Sequence, residues 1–270
     1  DTTVNLSLVE EVARQEVCSR ATDEEMSYLP QHARGTTTWL LILNRFERLL
    51  LFDVLLGSHI EHRNGDKTTV QGTHANFCGS AVSSNYIMRT GEHYAEFKIA
   101  GGSMVGIVRP MPELDTSNFR DKEYFYFGDL DLYPVFLTHK TKEWGEDSVH
   151  TCNYGAHDGH SYSTKWDWAD RGEHDEGWEG MESCISGDTV GMLLDLDEGT
   201  LTVYKNNRLL GVMKDGLSGP FCWCAYVNGD GVVAIRRGQN KTLKGQRTLF
   251  DYQFSRTTVR RRPPLAFGQT

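Results

Sequence analysis

The sequence predicts a mainly β protein: an antiparallel β-sandwich with a short N-terminal helical region packed against it. Three observations carry this. Across residues 1–51 apolar side chains recur at three- and four-residue spacing, the period of a helix face. From Phe52 onward the punctuation changes, with Gly and Asx-Gly turn signals at Asn64-Gly65, Thr90-Gly91, Asp158-Gly159, Glu198-Gly199 and Gly229-Asp230-Gly231. Between those turns lie short alternating or β-branched runs, the signature of many short strands. A length of 270 residues suits one large β domain with an appendage, and 39% hydrophobic with 24% charged residues is the composition of a chain that folds around a core. The organisation read from this is a helical region over 1–51, a sandwich over 52–238 and an extension over 239–270.

In the helical region Leu8, Val9, Val12, Ala13 and Val17 form an apolar stripe, with Glu10, Glu11, Arg14 and Gln15 between them. Thr22 and Glu25 have capping-box spacing and start a second helix that must stop near Pro30. Thr36 to Thr38 introduce a third, on which Trp39, Leu43, Phe46 and Leu50 share a face. No hydrophobic centre is evident within these helices, so they are expected to dock on the sandwich.

Among the strands, "HYAEFKI" (93–99) alternates cleanly, while "MVGIV" (104–108) and "VVAI" (232–235) are near-continuous apolar runs suited to strands covered on both faces. The stretch "GDTVGMLLDLDEGTLTVYKNNRLLGVM" (187–213) reads as a three-stranded meander. Its strands are 190–196, 201–205 and 209–213, joined by a turn at 197–200 and a tight turn at Asn206-Asn207, residues that tolerate positive φ.

That meander closely resembles the central signature of the SPRY (B30.2-like) family, in which a strand ending in Leu-Asp is followed by a Gly turn, a second strand, Lys-Asn and Leu-Gly. "HYAEFKI" with "VGIV" resembles the family's early strand pair, "NYGAHDGHSYS" (153–163) its aromatic-Gly hairpin, and "GPFCWCAYVNGDGVVAIRR" (219–237) its closing strands. The resemblance covers residues 53–238 and implies a bent antiparallel sandwich that serves as an adaptor, binding a peptide or folded partner through edge loops. It places those loops at His74, Asn76 and Phe77, at Gly101, Gly102 and Ser103, and around Tyr226 and Asn228, with Arg109 as the cation for an acidic partner residue. Ubiquitin-ligase or scaffold complexes are partners implied by resemblance alone, and the N-terminus shows no F-box, RING or SOCS-box pattern. Two segments have no counterpart and are expected as long loops: 111–144, with "DKEYFYFGDLDLYP", and the Trp-rich 166–184.

Other chemistries are weighed on the same residues. A formal charge of −9 argues against nucleic acid as partner, since phosphate binding needs excess Lys and Arg; Arg260-Arg261-Arg262 is a short local exception. The most apolar stretch, from Trp39 to Leu56, is broken by Asn44, Arg45, Glu47 and Arg48, so no membrane span is expected. Six irregularly spaced cysteines and no signal-peptide pattern point to a reducing, intracellular setting, cytoplasmic or nuclear. His150, Cys152, His157 and His160 fit no zinc-site spacing, so neither metal nor cofactor is expected. Cys222 and Cys224 share one face of a strand and read as core. Asp195, Asp197 and Glu198 sit at a turn, and Asp170, Glu173, Asp175 and Glu176 in a loop, rather than across a cleft, so no catalysis is expected. Trp144, Trp166, Trp168, Trp178 and the run Tyr124 to Phe127 are too many aromatics to be all core. They also suit the competing reading, a carbohydrate-binding or carbohydrate-cleaving sandwich.

Overall fold

The computed structural model describes residues 6–21, 23–47, 49–144, 149–165 and 173–238. Trp166, Trp168, Asp170 and the extension 239–270 lie outside the described residues. Among those described, two seven-stranded sheets face each other. The first runs in the order β1 (Val54–Leu56), β4 (Cys78–Met88), β13 (Phe221–Asn228), β6 (Ser103–Val108), β7 (Val149–Gly155), β8 (Ser161–Lys165) and β9 (Glu173–Glu176). The second runs β12 (Arg208–Lys214), β11 (Thr200–Lys205), β10 (Thr189–Asp195), β5 (Glu92–Ala100), β14 (Val232–Arg237), β3 (Thr69–Gly72) and β2 (Ile60–His62). Neighbouring strands are antiparallel throughout.

The meander lies where the sequence places it, as β10, β11 and β12. Asn206 and Asn207 both have positive φ, 49° and 64°, so the two-residue turn is of the mirror-image kind that follows strand twist. At the other turn the Asp195 side chain accepts the N–H groups of Asp197 (3.1 Å) and Glu198 (3.0 Å), which fixes the corner locally. Val190, Met192 and Leu194 then point into the sandwich. The regularity of this stretch serves the fold.

The core between the sheets holds Phe97, Met192, Val203, Ile107 and Trp223, all without exposed surface. Phe221, Trp223, Ala225 and Val227 face that core, while Cys222 and Cys224 face outward into a second apolar cluster. The segment 111–144, expected as a loop, builds that cluster. It folds back over the first sheet through two 3-10 turns and helix α4 (Tyr133–Thr138), and covers Val82 and Val108 with Phe119, Phe125, Phe127, Phe136 and Trp144. Burying each such ring is worth about 1.5–3 kcal/mol, so the insertion is a third layer. Burial pushes the Cys152 thiol up to about 11 and that of Cys222 to about 12, which leaves them inert as nucleophiles.

The helical region corrects one expectation. Helices α1 (Leu8–Arg20), α2 (Asp23–Tyr28) and α3 (Trp39–Phe46) do possess a centre of their own, made by Val17, Leu29 and Ile42. Thr38 caps α3 by accepting the Leu41 N–H at 3.1 Å, and Glu10 of α1 accepts the Trp39 N–H at 2.7 Å. Ala13 and Val17 are buried, yet Leu8 is 81% exposed and Val9 and Val12 are exposed too. Polar ties join the region to the sandwich: the Tyr28 hydroxyl accepts the Lys67 N–H (3.1 Å), Asn85 donates to Glu25 (3.3 Å), and Arg237 donates to the Glu47 carbonyl.

Arg109 is the second correction. The residue expected to meet an acidic partner is 1% exposed. Its guanidinium donates to the carbonyls of Val149 (2.9 Å), Ser218 (2.6 Å) and Pro220 (3.2 Å), and its carbon lies 3.9 Å from the Phe221 ring centroid. It is turned inward where the chain segments entering β7 and β13 bring three carbonyls together, and a five-donor fork reaches several at once. His150, whose carbonyl accepts the Arg109 N–H at 2.9 Å, is also buried, among the rings of Phe127, Phe136 and Trp144. Burial, with the Arg109 charge beside it, lowers its pKa to about 3.

Two outcomes are expected. Replacing Arg109 with Met removes its charge-assisted bonds to three carbonyls and should cost about 3 kcal/mol in urea unfolding, with Arg109→Lys recovering only part of the loss. For His150 the folded form binds its proton less readily than the unfolded form, whose imidazole titrates near 6.5. Its contribution is therefore complete above about pH 6.5 and is lost as the pH falls toward 3, up to on the order of 4 kcal/mol. Unfolding titrations from pH 7 to pH 4 should show a shallower decline for His150→Phe than for the wild type.

Candidate functional site

Because β13 runs antiparallel to both of its neighbours, its last residues meet the first residues of β4 and β6. Asn228 pairs with Cys78, and Val227 with Ser103. Three loops therefore converge at one end of the first sheet: 73–77 before β4, 101–102 before β6, and 229–231 after β13. Backbone bonds lace them together. Gly229 N–H donates to Phe77 (3.0 Å), Asn228 N–H to Gly102 (2.9 Å) and Gly72 N–H to Gly231 (3.0 Å). The lacing requires glycine: a Cβ on Gly72 would stand 2.0 Å from the Gly229 carbonyl, and Gly101, at φ +75°, would meet the Gly231 Cα at 2.9 Å.

On this floor lies a group of rings. His59 stacks on Phe77 at 4.5 Å and 14°, His74 sits 4.4 Å from Phe77, and Tyr124 meets Phe77 edge-on at 5.4 Å. Tyr126 and Tyr226 form a second edge-on pair at 5.0 Å. Tyr124 is 58% exposed, and its hydroxyl donates to the Asn76 carbonyl at 2.8 Å. His74, Asn76, Gly101, Gly102 and Asn228 are exposed, and Phe77 and Tyr226 half-buried. The whole makes an aromatic shelf with amide side chains at its rim.

Of the nine site residues expected from the sequence, seven are brought to this shelf with side chains or backbone at the surface. Ser103 is adjacent but buried, as the first ladder residue of β6, with its carbonyl accepting the Ala156 N–H at 3.0 Å. Arg109 follows the far end of β6, about 20 Å away at 3.3 Å per residue.

His59, Tyr124 and Tyr126 were not anticipated at the site. Tyr124 and Tyr126 arrive because the strip 122–125 lies along the start of β4, with Cys78 N–H donating to Glu123 (3.2 Å) and Phe125 N–H to Cys78 (3.2 Å). Their signal was the alternation in "YFYF": Phe125 and Phe127 are buried, while Tyr124 and Tyr126 face the shelf. Nothing local in the sequence marks His59, which reaches the stack from the turn before β2.

The other candidate chemistries disperse. His150 faces the outer cluster and Cys152 the inner core, while His157 is exposed and His160 pairs with Asp175 at 2.5 Å. Among the described residues no three of His, Cys, Asp and Glu gather as a metal site. Asp195 is committed to its turn amides, and Glu176 lies 3.9 Å from Lys214. Among the described residues no helix is long and apolar enough to cross a membrane.

Solved structures similar to the chain include SPRY domains. The SPRY domain of human HERC1 covers 63% of this chain and 89% of its own at 16% identity and a TM-score of 0.42. The PSpry domain of TRIM65 covers 70% and 91% at 13% identity and a TM-score of 0.41. A carbohydrate binding module, CBM66 from Bacillus subtilis, covers 70% and 97% at 10% identity and a TM-score of 0.39. No protein-family model matches the chain, and no curated protein matches it. With TM-scores below 0.5, these likenesses place the chain in no family.

Proposed function

We propose that the chain is a protein-interaction module whose aromatic shelf binds a peptide segment of a partner protein. The observation that supports this is the ring group of exposed His74 and Tyr124 with half-buried His59 and Phe77, held on a floor of three loops that are bonded to one another through their backbones. Aromatic side chains supply contact area at low entropic cost, and the Asn76 and Asn228 amides supply adaptable hydrogen bonds. A floor laced in this way needs little ordering on binding, which favours affinity. A place in a larger complex, of the ubiquitin-ligase or scaffold kind, is part of the proposal and rests on the sequence resemblance; an intracellular location is proposed from the six irregularly spaced cysteines.

Flat exposed rings beside amides would also stack on a sugar, so carbohydrate binding is the second reading. A glycan array beside a peptide array separates the two. On the peptide reading, Tyr226→Ala, Asn228→Ala and Tyr124→Ala should each weaken partner binding by about 1–2 kcal/mol in calorimetric titration, with the melting temperature unchanged. Equal binding by all three variants would move the contact away from the shelf.

A further inference from the structure

The composition of the shelf sets the sign of charge that it prefers. Arg109 was the cation expected to attract an acidic partner, and its burial removes that attraction. What stands at the rim is acidic and rich in π faces. Asp230 is exposed at the turn after β13, next to Gly229, whose N–H is held by the Phe77 carbonyl. Glu123 is exposed beside Tyr124 on the strip along β4. Within the strip Lys122 is half-buried and flanked in the chain by Asp121 and Glu123, and Arg120 is exposed two positions before it.

Phe77, Tyr124, Tyr126 and Tyr226 bring four aromatic rings to the shelf, and the negative face of such a ring attracts a cation placed over it. A guanidinium suits the site better than an ammonium, because its plane lies flat on a ring while its fork reaches a carboxylate. Among the described residues the chain makes this contact internally as well, with Arg109 over Phe221 (3.9 Å), Arg237 over Tyr86 (5.0 Å) and Arg20 over Phe46 (5.5 Å).

We infer that the shelf receives an arginine side chain of the partner peptide, seated on the exposed Tyr124 ring beside the half-buried Phe77 and neutralised by Glu123 and Asp230. The inference rests on the peptide-binding reading above. It reverses the charge of the partner expected from the sequence.

The test is selection of a random peptide library on the full chain, followed by titration of the recovered peptides against the wild type, Tyr124→Ala, Asn228→Ala and the doubly neutralised Glu123→Gln/Asp230→Asn. The expected result is enrichment of arginine at one position. Changing it to Gln should lower affinity about tenfold, with a similar loss in the neutralised chain, whose melting temperature stays that of the wild type. Peptides that depend on Tyr124 and Asn228 but carry neutral or acidic residues at that position would overturn the inference and leave the peptide-binding reading standing. Peptides indifferent to Tyr124 and Asn228, or none recovered, would overturn that reading and the inference with it.

Discussion

The edge-on contact of Trp223 with Phe97, at 5.9 Å between centroids and 74° between planes, is the joint on which the sandwich depends. Trp223 lies midway along β13, paired with Ile107 of β6 on one side and Ser83 of β4 on the other. Its strand is buried on both faces, by the opposite sheet within and by the 111–144 layer without. The interaction itself is worth only about 0.5–1.5 kcal/mol beyond the area it buries. Its importance is positional, since holding β13 in register sets where Asn228 ends, and with it where the three shelf loops meet.

Burial and exposure divide the aromatic residues into two populations with different tasks. Phe119, Phe125, Phe127, Phe136 and Trp144 close the outer face of the first sheet. Tyr124, Tyr126 and Tyr226 carry hydroxyls and stand at the shelf. The segment 111–144 supplies the first set and, by alternating along its backbone, Tyr124 and Tyr126 of the second, so the layer that insulates Cys222 and Cys224 also furnishes part of the binding surface. A binding surface made this way is anchored by the protein's own core packing rather than by the partner.

How much of this was legible follows from the range of the interactions. The meander 190–213 could be read because its turns are set by residues inside it: two asparagines at positive φ, and Asp195 bonded to amides two and three residues on. The convergence of the shelf loops was reachable only through family resemblance, since it depends on pairings between residues far apart in the chain. Arg109 was misplaced because the carbonyls that draw it inward belong to residues 40, 109 and 111 positions away. The packing of 111–144 was missed for a related reason. Its aromatic run states that something must be buried, but the surface that buries it is formed by β4, β6 and β13.

The strand order has a consequence for synthesis. β13 is among the last strands to leave the ribosome, yet it sits in the interior of the first sheet between β4 and β6, and β14 sits likewise between β5 and β3 in the second. Until residues 221–237 have emerged, β4 and β6 are separated by the width of a missing strand, about 10 Å for two inter-strand spacings, and β5 and β3 are left in the same state. Each half-made sheet then offers open hydrogen-bonding edges beside uncovered apolar faces, the condition in which chains associate with one another. A single pair of consecutive strands, β13 and β14, passes from one sheet to the other through Gly229-Asp230-Gly231 and closes both gaps, so the nascent chain goes from open-edged to sealed as residues 221–237 emerge.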